Sequence, residues 1–379
     1  MPRKMLRGSH LRLPRTESDV EMASVETTPE QPTSRPRSPA GRALVVSALA
    51  LIVSAGVFWL ARTSGPSWIA VRGDLRQVGL TDLAVLTIVW AIGLWCHSWV
   101  LTAALPGLSR RRALLLNVSG SAVSDLIPFG AAAGAGMNLA MMRSWNVDLT
   151  RYASFTAVHN LWNVMAKLGL PALVLAMALM NGTLTSGRLV LTAEVALAAT
   201  VVLGIISVAG IASARTAELL GKSADLVITK VSRAIGARRT PHLARTLPAV
   251  RHEIATVIRR GWPQLTAGVV SYLVMQAVLW ALCLRAIGDV PGPTVVLAGF
   301  AVERVLSMLP FTPGGAGLAE AGSIAVLVSL GGDPVVMAAG VLLYRGFAFL
   351  LEIPVGGAGV LAWFWAQRRL PNARPVVAP

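Results

Sequence analysis

Ionisable side chains interrupt several apolar stretches of this sequence, and they are its best candidates for chemistry. The set comprises Asp125, Lys167, Glu303, Arg304, Glu320, Arg345 and Glu352. A charge surrounded by hydrocarbon is costly, so such residues are functional candidates by default. A guanidinium group matches phosphate oxygens in bidentate fashion, and carboxylates can hold it in place. We therefore expect an anion-binding set made of Asp125, Glu303, Arg304, Glu320 and Arg345.

Helical spacing groups some of these charges with neutral polar residues. His159, Asn163 and Lys167 follow one another at intervals of four, so they share one face of a helix. Arg345 and Glu352 are seven apart and also share a face. The supporting set that we expect around the site is Asn138, His159, Asn163, Lys167 and Glu352.

Two interpretations of the buried charges stay open at this point. Opposite charges could pair only to hold helices together, as Arg345 with Glu320 or Lys167 with Glu352. Alternatively, they could line a binding site. Taken alone, His159 is more typical of a hydrogen-bonded packing residue than of a proton carrier.

The composition predicts a membrane protein. Of the 379 residues, 54% are hydrophobic and 14% are charged, and the mean hydropathy is +0.63. This excludes a soluble enzyme, whose surface needs more charge. The net charge of +16 comes from basic residues placed between apolar runs, which is typical of cytoplasmic loops and not of a nucleic-acid partner. Cys96 and Cys283 lie in apolar stretches and indicate neither a metal site nor a disulfide framework.

Apolar run length predicts the spans, since a helix needs roughly 20 residues to cross the hydrocarbon core. The expected crossings, about six, are 43–60, 80–105, 152–180, 189–213, 264–287 and 335–366, the last one over-long and tilted or broken near Pro354. Two further regions, 113–142 and 294–330, are split by Pro and Gly into halves too short to cross and are typical of re-entrant hairpins. The residues at these breaks are Pro128, Gly130, Pro310, Thr312, Pro313, Gly314 and Gly315.

Basic segments predict the orientation. With both termini cytoplasmic, the basic segments, including the Arg110–Arg112 triplet and the 214–262 connection, all fall on the cytoplasmic side. The expected organisation is a disordered cytoplasmic tail at 1–42, a first membrane half at 43–213, a basic cytoplasmic loop with amphipathic helices at 214–262, a second membrane half at 263–367 and a cytoplasmic tail at 368–379. Arg-rich, Ala-rich composition favours a bacterial cytoplasmic (inner) membrane.

An internal repeat relates the two broken regions. The segment that begins at Leu126 aligns with the segment that begins at Met308 at an offset of 182 residues, which brings Asn138 onto Glu320. Combined with the topology, this predicts an all-α fold made of an inverted repeat, with two hairpins that meet near the midplane. Interrupted helices at corresponding positions of two halves are the best sequence pointer to a transporter site.

The segment from Leu309 to Glu320, which reads LPFTPGGAGLAE, resembles the signature of the lysylphosphatidylglycerol synthetase transmembrane-region family, also called the flippase-like domain family. The later Leu343-Tyr344-Arg345 and the earlier Leu126-Ile127-Pro128 fit the same pattern. The resemblance covers roughly residues 43–367. For members of this family that are fused to a synthetase, the resemblance implies an aminoacyl-phospholipid flippase role. For members that stand alone, it implies roles in envelope lipids. This sequence shows no soluble aminoacyl-transferase domain.

The function that we predict is translocation of an anionic or lipid-linked headgroup between leaflets through a midplane cavity, without enzymatic activity, cofactor or metal. The expected partners are membrane lipids and an envelope lipid or glycan synthesis enzyme. Two alternatives stay open: a membrane-embedded glycosyl or lipid transferase, and a non-catalytic scaffold for an envelope-lipid enzyme.

Overall fold

A computed structural model describes residues 67–126, 130–180, 243–308 and 312–369, together with the single positions 198 and 202. Within these ranges every regular element is helical. The α-helices are α1 (Trp68–Gln77), α2 (Leu80–Ala104), α3 (Arg110–Leu126), α4 (Ala131–Ser144), α5 (Leu149–Met180), α6 (Leu243–Arg285), α7 (Pro293–Leu306), α8 (Leu318–Ser329), α9 (Pro334–Arg345) and α10 (Glu352–Arg369). The fold is therefore that of a helical membrane protein, as the composition predicts.

Three of the described helical stretches are long and apolar enough to cross a bilayer: Leu80–Ala104, His252–Arg285 and Pro334–Arg368. They cover the predicted spans 80–105, 264–287 and 335–366, except for the last one or two residues of the first two spans. The predicted span 152–180 lies within the single helix α5. The span predicted at 43–60, the tail predicted at 1–42, the loop residues 214–242 and the tail residues 370–379 lie outside the described residues. So does the span predicted at 189–213, apart from the single positions 198 and 202.

The last long helix changes its winding just before Pro354. A turn of π-helix, Gly346–Leu350, separates α9 from α10, and the Leu351 N–H donates to Gly346 O at 2.8 Å. Because proline has no N–H to donate, a wider turn before it relieves the helix at this point. Near Pro354 the structure thus shows a change of helix type a few residues upstream, within a helical stretch that continues to Arg369.

The connection predicted at 214–262 needs a correction at its C-terminal part. Its second amphipathic stretch is not a separate interfacial helix, since it is the beginning of α6, which runs unbroken to Arg285. The described part of its apolar face packs on other helices. Val257 is buried, and Ile254 and Ile258 pack on the same cluster of apolar side chains from α2 and α3.

Helices α2 and α6 form an antiparallel pair. Gly93 of α2 faces Met275 of α6, while Gly261, nearer the start of α6, faces Ala103, nearer the end of α2. Glycine here lets the two backbones approach closely, as is common between helices in membranes. The C-terminal ends of α2 and α6 therefore lie at opposite ends of the bundle.

The two broken regions follow those opposite ends. Helices α3 and α4 form the first hairpin, which we call hairpin 1. The beginning of α3 lies beside the end of α4, since the Arg112 guanidinium lies 5.1 Å from the Trp145 ring. Helices α7 and α8, with the 3-10 turn Pro313–Gly315 between them, form hairpin 2. Because hairpin 1 follows the end of α2 and hairpin 2 follows the end of α6, the two hairpins enter the bundle from opposite sides.

Candidate functional site

A network of ion pairs joins hairpin 2 to α9. Glu303 is fully buried and lies between two arginines: its Oε2 accepts from Arg304 Nε at 2.5 Å, and its Oε1 lies 3.4 Å from Arg345 Nη1. Arg345 Nε donates to Glu320 Oε1 at 2.6 Å. Four of the five residues predicted to bind an anion thus form one contact network, which we call the arginine network: Glu303, Arg304, Glu320 and Arg345.

Every nitrogen of the Arg345 guanidinium group has an acceptor. Besides the two glutamates, Arg345 Nη2 donates to the backbone oxygen of Gly314 at 2.9 Å. That oxygen is presented by a tight turn, because Gly314 has φ of 54° and Gly315 has φ of 72°, conformations that glycine adopts without strain. In this conformation Arg345 clamps the turn of hairpin 2 against α9.

Glu320 is fixed at both of its oxygens. Its Oε2 accepts from the Gly317 N–H at 2.6 Å, so the carboxylate reaches back over the first turn of α8. A negative charge at a helix N-terminus is stabilised by the free N–H groups and the helix dipole. Glu320 can therefore hold its position whether or not Arg345 stays bound to it.

Aromatic rings shield the two arginines from lipid. The Arg304 guanidinium lies 5.5 Å from the Phe300 ring and 5.6 Å from the Tyr344 ring, and the Arg345 guanidinium lies 4.9 Å from the Phe349 ring. Cation–π contacts of this kind gain strength where water is excluded. They help to hold both guanidinium groups in place inside the bundle.

The tip of hairpin 1 reaches the turn of hairpin 2. A methyl group on Gly314 would lie 3.0 Å from Asp125 Oδ1, and α3 packs against the 3-10 turn that contains Gly314. Asp125 also interacts electrostatically with Arg345 and Lys167. The two hairpins, which enter from opposite sides, therefore meet at Asp125 and Gly314.

Three charged groups near the arginine network are held less firmly. Asp125 and Lys167 form no ion pair with any described residue, although they lie in each other's electrostatic field. Glu352 lies under the electrostatic influence of Ser121 and Asp125 and forms no ion pair within the described ranges. The pairing of Lys167 with Glu352, one of the alternatives, is not present between these described residues, whereas the pairing of Arg345 with Glu320 is.

Polar residues extend from the arginine network along three helices. Each set has a spacing of four residues, which aligns its members on one helix face. We call these residues the polar seam: Asn117, Ser121 and Asp125 on α3, His159, Asn163 and Lys167 on α5, and Tyr272 and Gln276 on α6. At one end Tyr344 Oη lies 3.4 Å from Gln276 Oε1 and joins the seam to the arginine network.

The other end of the seam is a pair of histidines. His97 Nδ1 lies 3.0 Å from Asn117 Oδ1, and His97 Nε2 lies 3.3 Å from His159 Nε2. The Gln276 Nε2 group donates to Tyr272 Oη at 2.8 Å, and the Tyr272 ring stacks on His97 with centroids 4.4 Å apart. A continuous run of hydrogen bonds and ring contacts therefore connects the histidine pair with the buried arginines.

Several predicted residues lie outside these contacts. Asn138 is on α4 beside Gly120, and its buried Oδ1 has no hydrogen-bond partner in the described structure. Gly130 is buried and precedes the first residue of α4. Thr312 is buried in the turn of hairpin 2, and its Oγ1 also lacks a described partner. Pro128 and Pro310 lie outside the described residues, as does the side chain of Pro313.

Sequence reasoning missed part of the seam. Four residues of the seam were not among the predicted site residues: Asn117, Ser121, Tyr272 and Gln276. His97 and Tyr344, at its two ends, were not predicted either. A signal for four of them exists, because Asn117 and Ser121 precede Asp125 at intervals of four, and Tyr272 and Gln276 are also four apart. The described residues contain no group of three or more acidic, His or Cys side chains that could hold a metal ion.

A family model for the lysylphosphatidylglycerol synthase TM region matches residues 47–356, which include every residue of the arginine network and the polar seam. The chain belongs to this family. Membership of the lysylphosphatidylglycerol synthase TM-region family confirms the resemblance carried by the segment around Leu309–Glu320, and it links this membrane protein to lipid or envelope processes. No curated protein matches the chain significantly.

Proposed function

We propose that this protein translocates a membrane lipid by moving its headgroup between leaflets, without acting as an enzyme. The observation that carries the proposal is the contact between the tips of two broken hairpins, Asp125 and Gly314, directly beside buried arginines. Broken backbone at such depth is tolerated where protein or a polar cavity surrounds it. Charged residues inside a membrane bundle are costly and commonly mark the path of a substrate or ion.

The arginine network suggests how an anionic headgroup is bound. Arg345 offers a planar fork that fits two oxygens of a phosphate, and Glu320 occupies that fork at Nε in the described conformation. We propose an exchange in which the phosphate replaces the Glu320 carboxylate on Arg345. Glu320 keeps its bond to the Gly317 N–H during the exchange, so its charge does not become isolated.

The free charges of the site fit the same proposal. Lys167 lies in the field of Asp125 and Glu303 without an ion pair among the described residues, so it can follow a phosphate along the seam. The acyl chains stay in the bilayer while the headgroup moves. The entry of the hairpins from opposite sides supports an inverted repeat, which provides alternating access from the two leaflets.

The acidic residues near helix ends do not favour the transferase alternative. Asp333 accepts from the N–H groups of Val335 and Val336 at 2.9 and 3.0 Å, and Asp82 accepts from the Gly79 N–H at 3.3 Å. Both carboxylates therefore serve as helix caps. A transferase needs such groups free to act as a base or to hold a metal.

Proteoliposomes test the proposal. Purified protein is reconstituted with a trace of fluorescent phosphatidylglycerol or phosphatidylcholine, and a membrane-impermeant quencher reports how fast inner-leaflet lipid becomes accessible. We expect faster exchange with the protein than in empty vesicles. An exchange rate equal to that of empty vesicles for every lipid headgroup tested contradicts the proposal, and release of a product from a sugar donor favours the transferase.

A further inference from the structure

The histidine pair at the far end of the polar seam has no part in headgroup binding as proposed above. His97 is buried on α2 and His159 lies on α5, and their Nε2 atoms face each other at 3.3 Å. Two imidazoles in this arrangement need one proton between them, since two lone pairs or two N–H groups would repel. The pair is therefore a place where a single proton has a defined position.

Asn117 determines which nitrogen carries that proton. Its Oδ1 faces His97 Nδ1 at 3.0 Å, and an amide oxygen can only accept, so Nδ1 of His97 is protonated. Neutral His97 then has a lone pair at Nε2. His159 must donate to it from its own Nε2, which leaves a lone pair at His159 Nδ1. This lone pair can accept a further proton.

Aromatic rings cover both imidazoles of the pair, and a cationic residue faces them. The Tyr272 ring stacks on His97 at 4.4 Å and the Phe155 ring lies parallel to His159 at 5.7 Å, so an aromatic face covers each imidazole. The charged group that faces both histidines is Lys167, two turns along α5 from His159. Lys167 in turn interacts with Asp125, Glu303, Arg304 and Arg345. A proton on the pair therefore repels Lys167 towards the acidic side of the arginine network.

We propose that the His97–His159 pair is a binding site for one coupling proton, and that uptake and release of this proton drive the headgroup step. A proton from water adds to His159 Nδ1. The Nε2–H bond of His159 then breaks as an Nε2–H bond forms on His97, which moves the positive charge from one ring to the other. Loss of a proton to water returns both rings to the neutral state, so no other reactant is needed.

Nitrogen NMR of the histidine side chains tests the proton site by itself. In nanodiscs with ¹⁵N-labelled imidazoles, we expect the Nδ1–H tautomer for His97 and the Nε2–H tautomer for His159. As the pH is lowered from about pH 8 through the range in which histidine ordinarily titrates and below it, one proton should add and shift both rings together. In His97→Gln the remaining ring should titrate alone. Two rings that stay neutral throughout, or that bind two protons independently, overturn the proton site.

The coupling rests on the proposed function and is tested separately. With the membrane potential clamped, a gradient of one pH unit should change the steady-state leaflet ratio of a transported fluorescent lipid about tenfold, because one proton then contributes about 1.36 kcal/mol. His97→Gln and His159→Gln should remove this response, and His252→Gln, at an exposed position of α6, should keep it. Transport that ignores the gradient in the wild-type protein overturns the coupling. Absence of any lipid movement refutes the proposed function, while the NMR result still decides the proton site.

Discussion

Arg345 and Glu320 are joined by a bond of 2.6 Å between Nε and Oε1, which ties α9 to the returning helix of hairpin 2. The side chains expose 7% and 16% of their surface, so the pair lies largely out of contact with solvent. Glu303 touches the same guanidinium from the other side at 3.4 Å. One arginine therefore holds three parts of the second half together: α7, α8 and α9.

Neutralising one member of this pair should destabilise the protein more than neutralising both. Glu320→Gln leaves the Arg345 charge with a weaker set of partners, and breaking a buried pair in this way costs about 3–5 kcal/mol. Glu320→Gln with Arg345→Gln removes both charges and should restore part of the loss. Thermal unfolding in detergent measures the three variants. A double variant less stable than either single variant would contradict the pairing.

The antiparallel packing of α2 and α6 can be tested with a disulfide. A Cβ atom placed on Gly261 would lie 3.7 Å from Ala103 Cβ, within the usual span of a disulfide. In a variant without Cys96 and Cys283, the pair Ala103→Cys and Gly261→Cys should cross-link on mild oxidation. The matched control is Ala103→Cys with Gly268→Cys, since Gly268 faces Val100 and Trp99 instead. Equal cross-linking of both pairs would contradict the register.

The turn at Gly314 should be sensitive to a single methyl group. Its φ of 54° disfavours alanine, and the added Cβ would lie 2.6 Å from the Phe349 ring and 3.0 Å from Asp125 Oδ1. We expect Gly314→Ala to lower the unfolding temperature by several degrees. Gly136→Ala on α4 is the control, because its Cβ meets nothing within 4 Å and alanine is about 0.5–1 kcal/mol better than glycine in a helix. Equal stability of the two variants would argue against the tight turn.

The two hairpin tips should react with polar reagents if they line a water-filled path. Gly130 and Thr312 are both buried, and the Thr312 hydroxyl oxygen has no described partner, as expected for a group that contacts water or cargo. In the variant without native cysteines, Gly130→Cys and Thr312→Cys should be modified by a small charged thiosulfonate. Leu327→Cys, buried in the apolar core, is the control. Complete protection of both tip cysteines in folded protein would refute a polar path.

The sequence predicted the charged centre well because charge and hydrocarbon are incompatible. Each of the residues Glu303, Arg304, Glu320 and Arg345 interrupts an apolar run, and the cost of an isolated buried charge requires partners nearby. Hairpin breaks were also predictable, because proline and glycine end helices at known positions. Three of the predicted long spans coincide with described helices that are long and apolar enough to cross.

Contacts between helices that are far apart in the chain could not be predicted from the sequence. Nothing in the spacing of His97 and His159 indicates that their Nε2 atoms meet, because α2 and α5 are brought together by tertiary packing. The repeat offset aligned Asn138 with Glu320, and the same offset of 182 places Asn163 at the position of Arg345. Asn163 instead donates to the backbone oxygen of His159 at 2.8 Å. The ion pair of the second half thus has no charged counterpart at these positions of the first half.

The predicted beginning of α6 was wrong for a related reason. The basic residues between 243 and 262 suggested a separate helix on lipid headgroups, but hydrophobic periodicity continues through them without a break. Gly261 fits against Ala103 at the point where a boundary was expected. Close packing on α2 keeps the helix continuous, and a pattern of charge alone does not reveal such a contact.

The central claim is that Arg345 exchanges Glu320 for the phosphate of a translocated lipid. The most direct measurement is the transport of fluorescent anionic and zwitterionic phospholipids in proteoliposomes by the wild-type protein, by Arg345→Lys and by the double variant Arg345→Gln with Glu320→Gln. The account predicts that the double variant folds and moves lipid at the rate of empty vesicles, and that Arg345→Lys, which keeps the charge but loses the bidentate fork, retains partial activity at best. Transport at the wild-type rate by the folded double variant would show that Arg345 only holds the bundle together, and would contradict the account.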